Sequence, residues 1–328
     1  MITSVIIGCG KIAGGSNIQD ATTHAGVFTK NKNIKLRACF DKEVSKANKF
    51  SLVYKCIVEN NLNDLIIKHN PQIVSVCTPD HTHFQIIKKL LSFSNIIKVI
   101  LLEKPAVTNK RDYQKLYRII SRSSVKVIIN HTRRFDDSHR KIKKMIDKRY
   151  FGELIRCDAS YYGGWIHNGV HVVDTLNFFL EDKLNIKSVS NISKSLYKDD
   201  LLMDLLIGVK SSKSKIFLNV FDESHYQIME FDLKFTNGRI RIENFGEKFF
   251  FEKKSINKLK ENILVDAKKS IPIPDFTAME NMVNLVCKYL IKRDFASIAP
   301  YEFKNSKKTM DIIWKGIDLA SNNNYKKH

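Results

Sequence analysis

The sequence lacks any hydrophobic run long enough to cross a membrane. A helical span needs about 18 or more consecutive apolar residues. The longest stretch here, Ile96-Ile97-Lys98-Val99-Ile100-Leu101-Leu102, is broken by a lysine and has the length of a strand. Met1 to Gly14 has no basic n-region and only a short apolar stretch, so no secretory signal is expected. Paired cysteines are also missing. The six occur singly at Cys9, Cys39, Cys56, Cys77, Cys157 and Cys287, with no Cys-x-x-Cys. That pattern speaks against a disulfide framework or a zinc ribbon and for small buried hydrophobes in a reducing cytoplasm. Acidic residues are scarce: 34 Asp and Glu stand against 55 Lys and Arg, a formal net charge of +21. The lysines are spread over the whole chain, without an arginine block or an aromatic-interleaved basic stripe, so no nucleic-acid partner is expected. A phosphorylated small substrate suits the charge. Internal repeats and low-complexity segments are absent too.

What is present is core. The 328 residues are 43% hydrophobic, enough for two ordinary domains. Up to about residue 130, apolar strand-like runs alternate with helical patterns. Strands are expected at 2–7, 34–40, 72–77, 97–102 and 125–130, and helices at 43–51, 62–69, 83–91 and 111–121, the last capped by Asn109. This rhythm predicts a doubly wound parallel sheet. Beyond it, strand-like segments at 153–162, 186–196, 201–209, 214–221, 226–235, 238–243 and 247–252 follow one another on short polar turns such as Thr236-Asn237-Gly238. They predict a large, mostly antiparallel open sheet. Helices are expected at 136–148, 169–180, 276–292 and 305–321, and a loop from Lys253 to Asp275. The fold class is therefore α/β: a domain 1–130 with a Rossmann-type sheet, then an α+β domain 131–328.

Ligands of an open parallel sheet bind beyond the carboxyl ends of its strands. That rule selects Gly8 to Gly14, Asp41, Thr78 to His83, Glu103 to Pro105 and Asn130 to Phe135. In the first of these, Gly8 permits a tight turn and Gly10 lets backbone approach a pyrophosphate that a Cβ would block. Lys11 and Ile12 follow, Ala13 holds the third glycine position, and a helix is expected to open at Ala13-Gly14 and present its N–H groups to phosphate. Residues 15–23 read as a loop extension near the cofactor. Asp41 ends the second strand, where a carboxylate accepts from both ribose hydroxyls and repels a 2′-phosphate, so NAD is expected ahead of NADP. Lys42 beside it softens that discrimination. Lys104, held between Glu103 and Pro105 over the cofactor crevice, can donate to a substrate oxygen or share in proton transfer.

Gly8-Cys9-Gly10-Lys11-Ile12-Ala13, Cys77-Thr78-Pro79-Asp80-His81-Thr82-His83, Glu103-Lys104-Pro105, Arg134-Phe135 and the stretch Gly163 to Asp174 together resemble the Gfo/Idh/MocA oxidoreductase family of sugar and inositol dehydrogenases. The resemblance implies hydride chemistry on a sugar or polyol, a homo-oligomer (dimer or tetramer) built on the second domain's sheet, and a cis bond between Lys104 and Pro105. It also implies that Lys104 contacts substrate and nicotinamide, that Thr78, Pro79, His83 and Glu103 lie near the cofactor, and that His171 exchanges the proton of the reacting hydroxyl. Where the family usually has the aspartate of Asp-x-x-x-His, this chain has His167.

On a helix, His167 and His171 would share a face, with Asp174 near His171. His171 is the expected base and His167 a candidate second catalytic group. Their spacing also suits a metal, but no third ligand is evident, so none is expected. Arg133, Arg134, His131, Asn168 and Trp165 are candidate substrate contacts, an arginine to clamp an anion. Tyr161, Tyr162 and Trp165 are candidates for a sugar-facing wall. The expected function is NAD-dependent oxidation or reduction at a secondary hydroxyl of a sugar, a nucleotide sugar or other anionic sugar foremost. The alternatives are an inositol or polyol dehydrogenase, a glycosidase that uses NAD transiently, and a non-catalytic NAD-binding regulator.

Overall fold

The computed structural model describes all residues except 16, 17, 19 and 325–328, and leaves out the side chains of 323 and 324. Its contacts divide the chain into two units: residues 1–136 with 275–306, and 137–274 with 307 onward.

The first unit opens as β1 (Ile2–Ile7), α1 (His24–Lys30), β2 (Ile34–Phe40), α2 (Val44–Tyr54), β3 (Ile57–Val58), α3 (Leu62–His69), β4 (Ile73–Val76), α4 (His83–Leu91), β5 (Val99–Leu102), α5 (Lys110–Ser121) and β6 (Lys126–Ile129). The strands pair in parallel in the order β3-β2-β1-β4-β5-β6. The order reverses between β1 and β4, which is where such a sheet opens a ligand crevice. β4 and β5 are buried at every position, because crossover helices cover both faces of a parallel sheet. That is why these strands read as unbroken apolar runs. Asn109 caps α5 as expected, its side chain accepting the Asp112 N–H at 2.8 Å.

The second unit begins with α6 (Asp137–Asp147), β7 (Leu154–Tyr162), a π-type turn at Trp165–Gly169 and α7 (Val170–Leu180). Then come β8 (Leu184–Lys194), β9 (Leu201–Val209), β10 (Lys215–Phe221), β11 (Met229–Phe235), β12 (Gly238–Glu243), β13 (Lys248–Ile256) and β14 (Asn262–Asp266). The sheet runs β14-β13-β12-β11-β7-β10-β9-β8. All its neighbours are antiparallel except β7 and β10, which are parallel. Burial in β11 and β12 alternates residue by residue, the mark of a sheet with one face on a core. β14 lies inside the stretch 253–275 that reads as loop in the sequence. Its residues are nearly all exposed, so no hydrophobic alternation announces it.

The chain then returns. α8 (Ala278–Lys292) and α9 (Phe295–Ile298) belong with the first unit, and α10 (Lys307–Asn324) with the second. A single cut after residue 130 does not anticipate this return. α8 starts on a capping box: Thr277 Oγ1 accepts the Glu280 N–H at 3.2 Å, and Glu280 Oε2 accepts the Thr277 N–H at 2.8 Å. The same hydroxyl donates to the Ala21 carbonyl at 2.7 Å. Thr277→Ala is expected to cost about 1 kcal/mol or somewhat more, read as a lowered thermal midpoint. An unchanged midpoint would mean that the cap carries no stability.

Candidate functional site

In the first unit the carboxyl ends of the strands gather the predicted residues. Gly8 stands at φ +86°, and its N–H donates to the Phe40 carbonyl at 2.8 Å. A Cβ on it would lie 2.8 Å from the backbone of Cys77 and Thr78. The turn leaving β1 therefore nests directly on the end of β4. A Cβ on Gly10 would meet no protein atom within 4 Å. Gly10 faces open space, as a turn that cradles a pyrophosphate must.

The expected helix start at Ala13-Gly14 is not there. Residues 11–13 form a turn, closed by Ala13 N–H and Gly14 N–H on the Gly10 carbonyl. α1 begins only at His24, capped by Thr23. The N–H groups of His24 and Ala25 donate to Ile12 O and Ala13 O at 3.2 and 2.7 Å. These first helical donors are spent on the turn's own carbonyls, so the cradle is the turn itself. The expected loop at 15–23 falls partly on residues 16, 17 and 19, outside the described residues.

Asp41, directly after β2, is held by backbone on both oxygens. Cys9 N–H donates to Oδ2 at 2.7 Å and Glu43 N–H to Oδ1 at 2.8 Å. A cleft runs here, lined by Gly8, Gly10, Asp41, Lys42, Thr78 and Pro79. A second opening beside it is lined by Lys11, Ile12, Gly14 and Thr22. Together they suit a dinucleotide: phosphates over the glycines, ribose at Asp41.

His83 is buried, with its ring nitrogens 2.8 Å from Thr78 O and 3.0 Å from Pro105 O. Burial holds its pKa below the usual histidine value, outweighing both carbonyls. It ties the Thr78 turn to the Pro105 loop, a structural task. The Lys104–Pro105 bond is cis.

Glu103 is half-buried beside that loop. Its Oε1 takes Asn130 Nδ2 at 2.7 Å and lies 2.9 Å from Nε2 of the fully buried His24. Burial would raise its pKa, but the His24 and Asn130 hydrogen bonds and the Lys104 charge bring it below the usual carboxylate value. Lys104 is shifted too. Burial pushes its ammonium below the ordinary lysine value; Glu103 and Asp80 oppose the push, and the charge of Arg133 adds to it. This strand end collects a weakened lysine, two carboxylates and an arginine, and perturbed groups of this kind cluster at functional sites. His131 and Arg134 lie elsewhere, bordering a small cavity with Tyr301 and Phe303.

In the second unit the motif Gly163–Asp174 forms a polar cluster after β7. Gly163 is at φ +67°. A Cβ on it would sit 2.8 Å from Asn168 Nδ2, a buried donor with no hydrogen-bond partner among the described residues. His167 lies in the π-type turn, whereas His171 is the second residue of the regular helix α7. Turns of this type recur at functional sites. His167 Nδ1 is 2.7 Å from Oδ2 of Asp200, a residue just ahead of β9. This carboxylate reaches His167 from 33 residues further along the chain. Asp174 is buried and accepts from Thr309 Oγ1 at 3.0 Å.

The aromatic wall is corrected. Trp165 is fully buried, its Nε1 donating to Ile313 O at 2.9 Å, and Tyr161 is fully buried with its hydroxyl on Met203 O at 2.6 Å. Both are core, since each spends its polar tip on backbone. Tyr162 is partly exposed and packs edge-on against Phe245. Among the described residues no group of three or more His, Cys, Asp or Glu is placed to hold a metal, and no helix is long and apolar enough to cross a membrane. Sequence reasoning missed His24 and Asp200. Nothing in the sequence points to either residue.

Residues 2–131 match the profile of an oxidoreductase family with an NAD-binding Rossmann fold. An oxidoreductase of Formosa agariphila is 27% identical over 202 residues, covering 60% of this chain and 56% of that protein. Inositol 2-dehydrogenase of Rhizobium meliloti is 26% identical over 131 residues, covering 40% of this chain and 38% of that protein. The matches thus span about half of these relatives' own length or less. A 3-ketoreductase variant from Actinomadura kijaniata, solved with TDP-benzene and NADP, superposes with a TM-score of 0.73 at 14% identity, covering 98% of this chain and 97% of that one. At that identity the likeness is one of fold.

Proposed function

We propose that this chain is a member of the Gfo/Idh/MocA oxidoreductase family, as the match over residues 2–131 supports, and that it transfers hydride between NAD and a secondary hydroxyl of a sugar, a nucleotide sugar or another anionic sugar foremost. When bound, the nicotinamide cofactor accepts or returns the hydride. The turn at Gly8, Gly10, Lys11 and Ile12 holds the phosphates and Asp41 the ribose. Asp41 is fixed by Cys9 and Glu43 with its charge at the second strand's end, which favours NAD over a cofactor carrying a 2′-phosphate. Lys104 orients and polarises the reacting oxygen. The proton is exchanged by a histidine, His167 or His171. Arg133 and Asn168 are the substrate contacts that the surroundings support best.

The observation that carries this reading is Lys104. A lysine made less basic by burial, at the end of a central parallel strand, is costly to keep without a chemical use. The anionic preference draws on the net charge of +21, on Arg133, and on the TDP-linked ligand of the A. kijaniata enzyme. A polyol substrate is the second reading, prompted by the inositol dehydrogenase relative. A panel of nucleotide sugars, free sugars and polyols with NAD and NADP, read by the absorbance of reduced cofactor, decides between them. Turnover is expected with an anionic sugar, at least about tenfold better with NAD, a difference of about 1.4 kcal/mol. Tight NAD binding with no turnover on any member would overturn the reading in favour of a regulator.

A further inference from the structure

The second unit holds a carboxylate–histidine pair assembled from two separate stretches of chain. Asp200 is 4% exposed and sits immediately before β9. Its two oxygens accept the N–H groups of Ile166, His167 and Leu201 at 2.8 to 3.1 Å. These bonds fix the carboxylate under the π-type turn. Oδ2 then lies 2.7 Å from His167 Nδ1. A carboxylate only accepts, so Nδ1 carries the hydrogen and Nε2 becomes the basic nitrogen of the neutral ring. Rotation is restrained as well. The ring stacks on Tyr197 with centroids 4.2 Å apart and planes 11° from parallel. Gly164 makes the arrangement possible, because a Cβ there would sit 2.0 Å from Asp200 Oδ2.

We propose that Asp200 is a positioning residue that locks His167 in the Nδ1–H tautomer, so that Nε2 of His167 is the atom exchanging the proton of the reacting hydroxyl. The inference rests on the oxidoreductase reading above. It departs from the expectation that His171 is the base. His167 has its ring nitrogen, its ring face and its own N–H all held. An oriented carboxylate that stabilises the imidazolium is what turns a histidine into an efficient general base. A purely structural Asp200 would need only its three backbone donors.

The test is Asp200→Asn in the full chain, with circular dichroism to confirm folding. Two readouts go beyond structure. Long-range nitrogen–proton NMR correlations report the ring tautomer: wild type should show Nδ1–H at His167, and D200N a shifted mixture. Steady-state kinetics on the substrate that the panel identifies should show kcat falling at least about 10²-fold, with KM and NAD affinity within about threefold. An Nε2–H tautomer in wild type, or a folded D200N retaining kcat within about threefold, would overturn the proposal while leaving the oxidoreductase reading intact. Failure of the wild type to turn over any substrate would instead overturn that reading and this inference with it.

Discussion

Replacing Lys104 by methionine should remove turnover while leaving the protein as stable as before, or more so. Methionine keeps the length and the apolar stem of lysine and discards only the charge. The chemistry attributed to Lys104, polarising the reacting oxygen and sharing in proton transfer, is worth about 10² to 10⁴ in rate, and a loss of that size is expected in kcat. NAD affinity should hold within about threefold, because the cradle is built from the turn at Gly8–Ile12 and from Asp41. Stability moves the other way. Burial makes the protonated lysine less welcome in the folded chain than in the unfolded one, and neither Glu103 nor Asp80 makes up the difference. With a folded pKa below the unfolded one, the unfolded chain binds more protons in the window between the two values. Wild-type stability therefore rises as pH climbs through that window, and at neutral pH the charged lysine is a burden. Lys104→Met deletes both the burden and the slope. Melting curves from neutral pH to about pH 10 would show a variant whose midpoint is equal or higher at pH 7, with the gap closing as pH rises. Retained turnover would remove Lys104 from the chemistry. A midpoint lower by several degrees would show that the ammonium is a structural tie.

Much of this site is legible in the sequence, for a specific reason. In a parallel sheet the functional residues follow the strands, and central strands announce themselves as short apolar runs because both faces are buried. Locating β1, β2, β4, β5 and β6 was therefore enough to find Gly8, Asp41, Thr78, Glu103 and Asn130, and the structure brings these ends together along one edge. Residues that reach the site by tertiary closure were not legible. His24 is 79 positions from Glu103, and Asp200 is 33 from His167; no periodicity links such pairs. Trp165 and Tyr161 went wrong in the opposite direction, because an aromatic beside a glycine-rich motif looks the same whether it lines a pocket or fills a core. Their polar tips, spent on Ile313 and Met203, settle the matter only in three dimensions. The helix expected at Ala13-Gly14 failed because the chain delays it to His24, and only the bonds from His24 and Ala25 to Ile12 and Ala13 show that the late helix still meets the turn. The return of 275–306 to the first unit is a matter of topology, which local pattern does not encode.

The two glycines of the turn should separate fold from cofactor when each is changed to alanine. Gly8→Ala places a Cβ 2.8 Å from the backbone of Cys77 and Thr78, at a residue with φ +86°. Strain in the left-handed region costs about 1–3 kcal/mol, and crowding against backbone that cannot swing aside adds about as much again. A loss of about 2–5 kcal/mol is expected, seen as a large fall in denaturation midpoint or as insoluble protein. Gly10→Ala meets nothing within 4 Å, so its stability should stay within about 0.5 kcal/mol, as for other open sites. Its Cβ instead stands where the phosphates approach, and NAD affinity should fall at least about tenfold, equivalent to about 1.4 kcal/mol. Denaturant titration and NAD binding by fluorescence, run on both variants, give a crossed pattern that no general weakening of the unit can imitate. If Gly10→Ala bound NAD as wild type does, the dinucleotide would not lie over this turn, and the roles given to Asp41 and Lys104 would lose their common anchor.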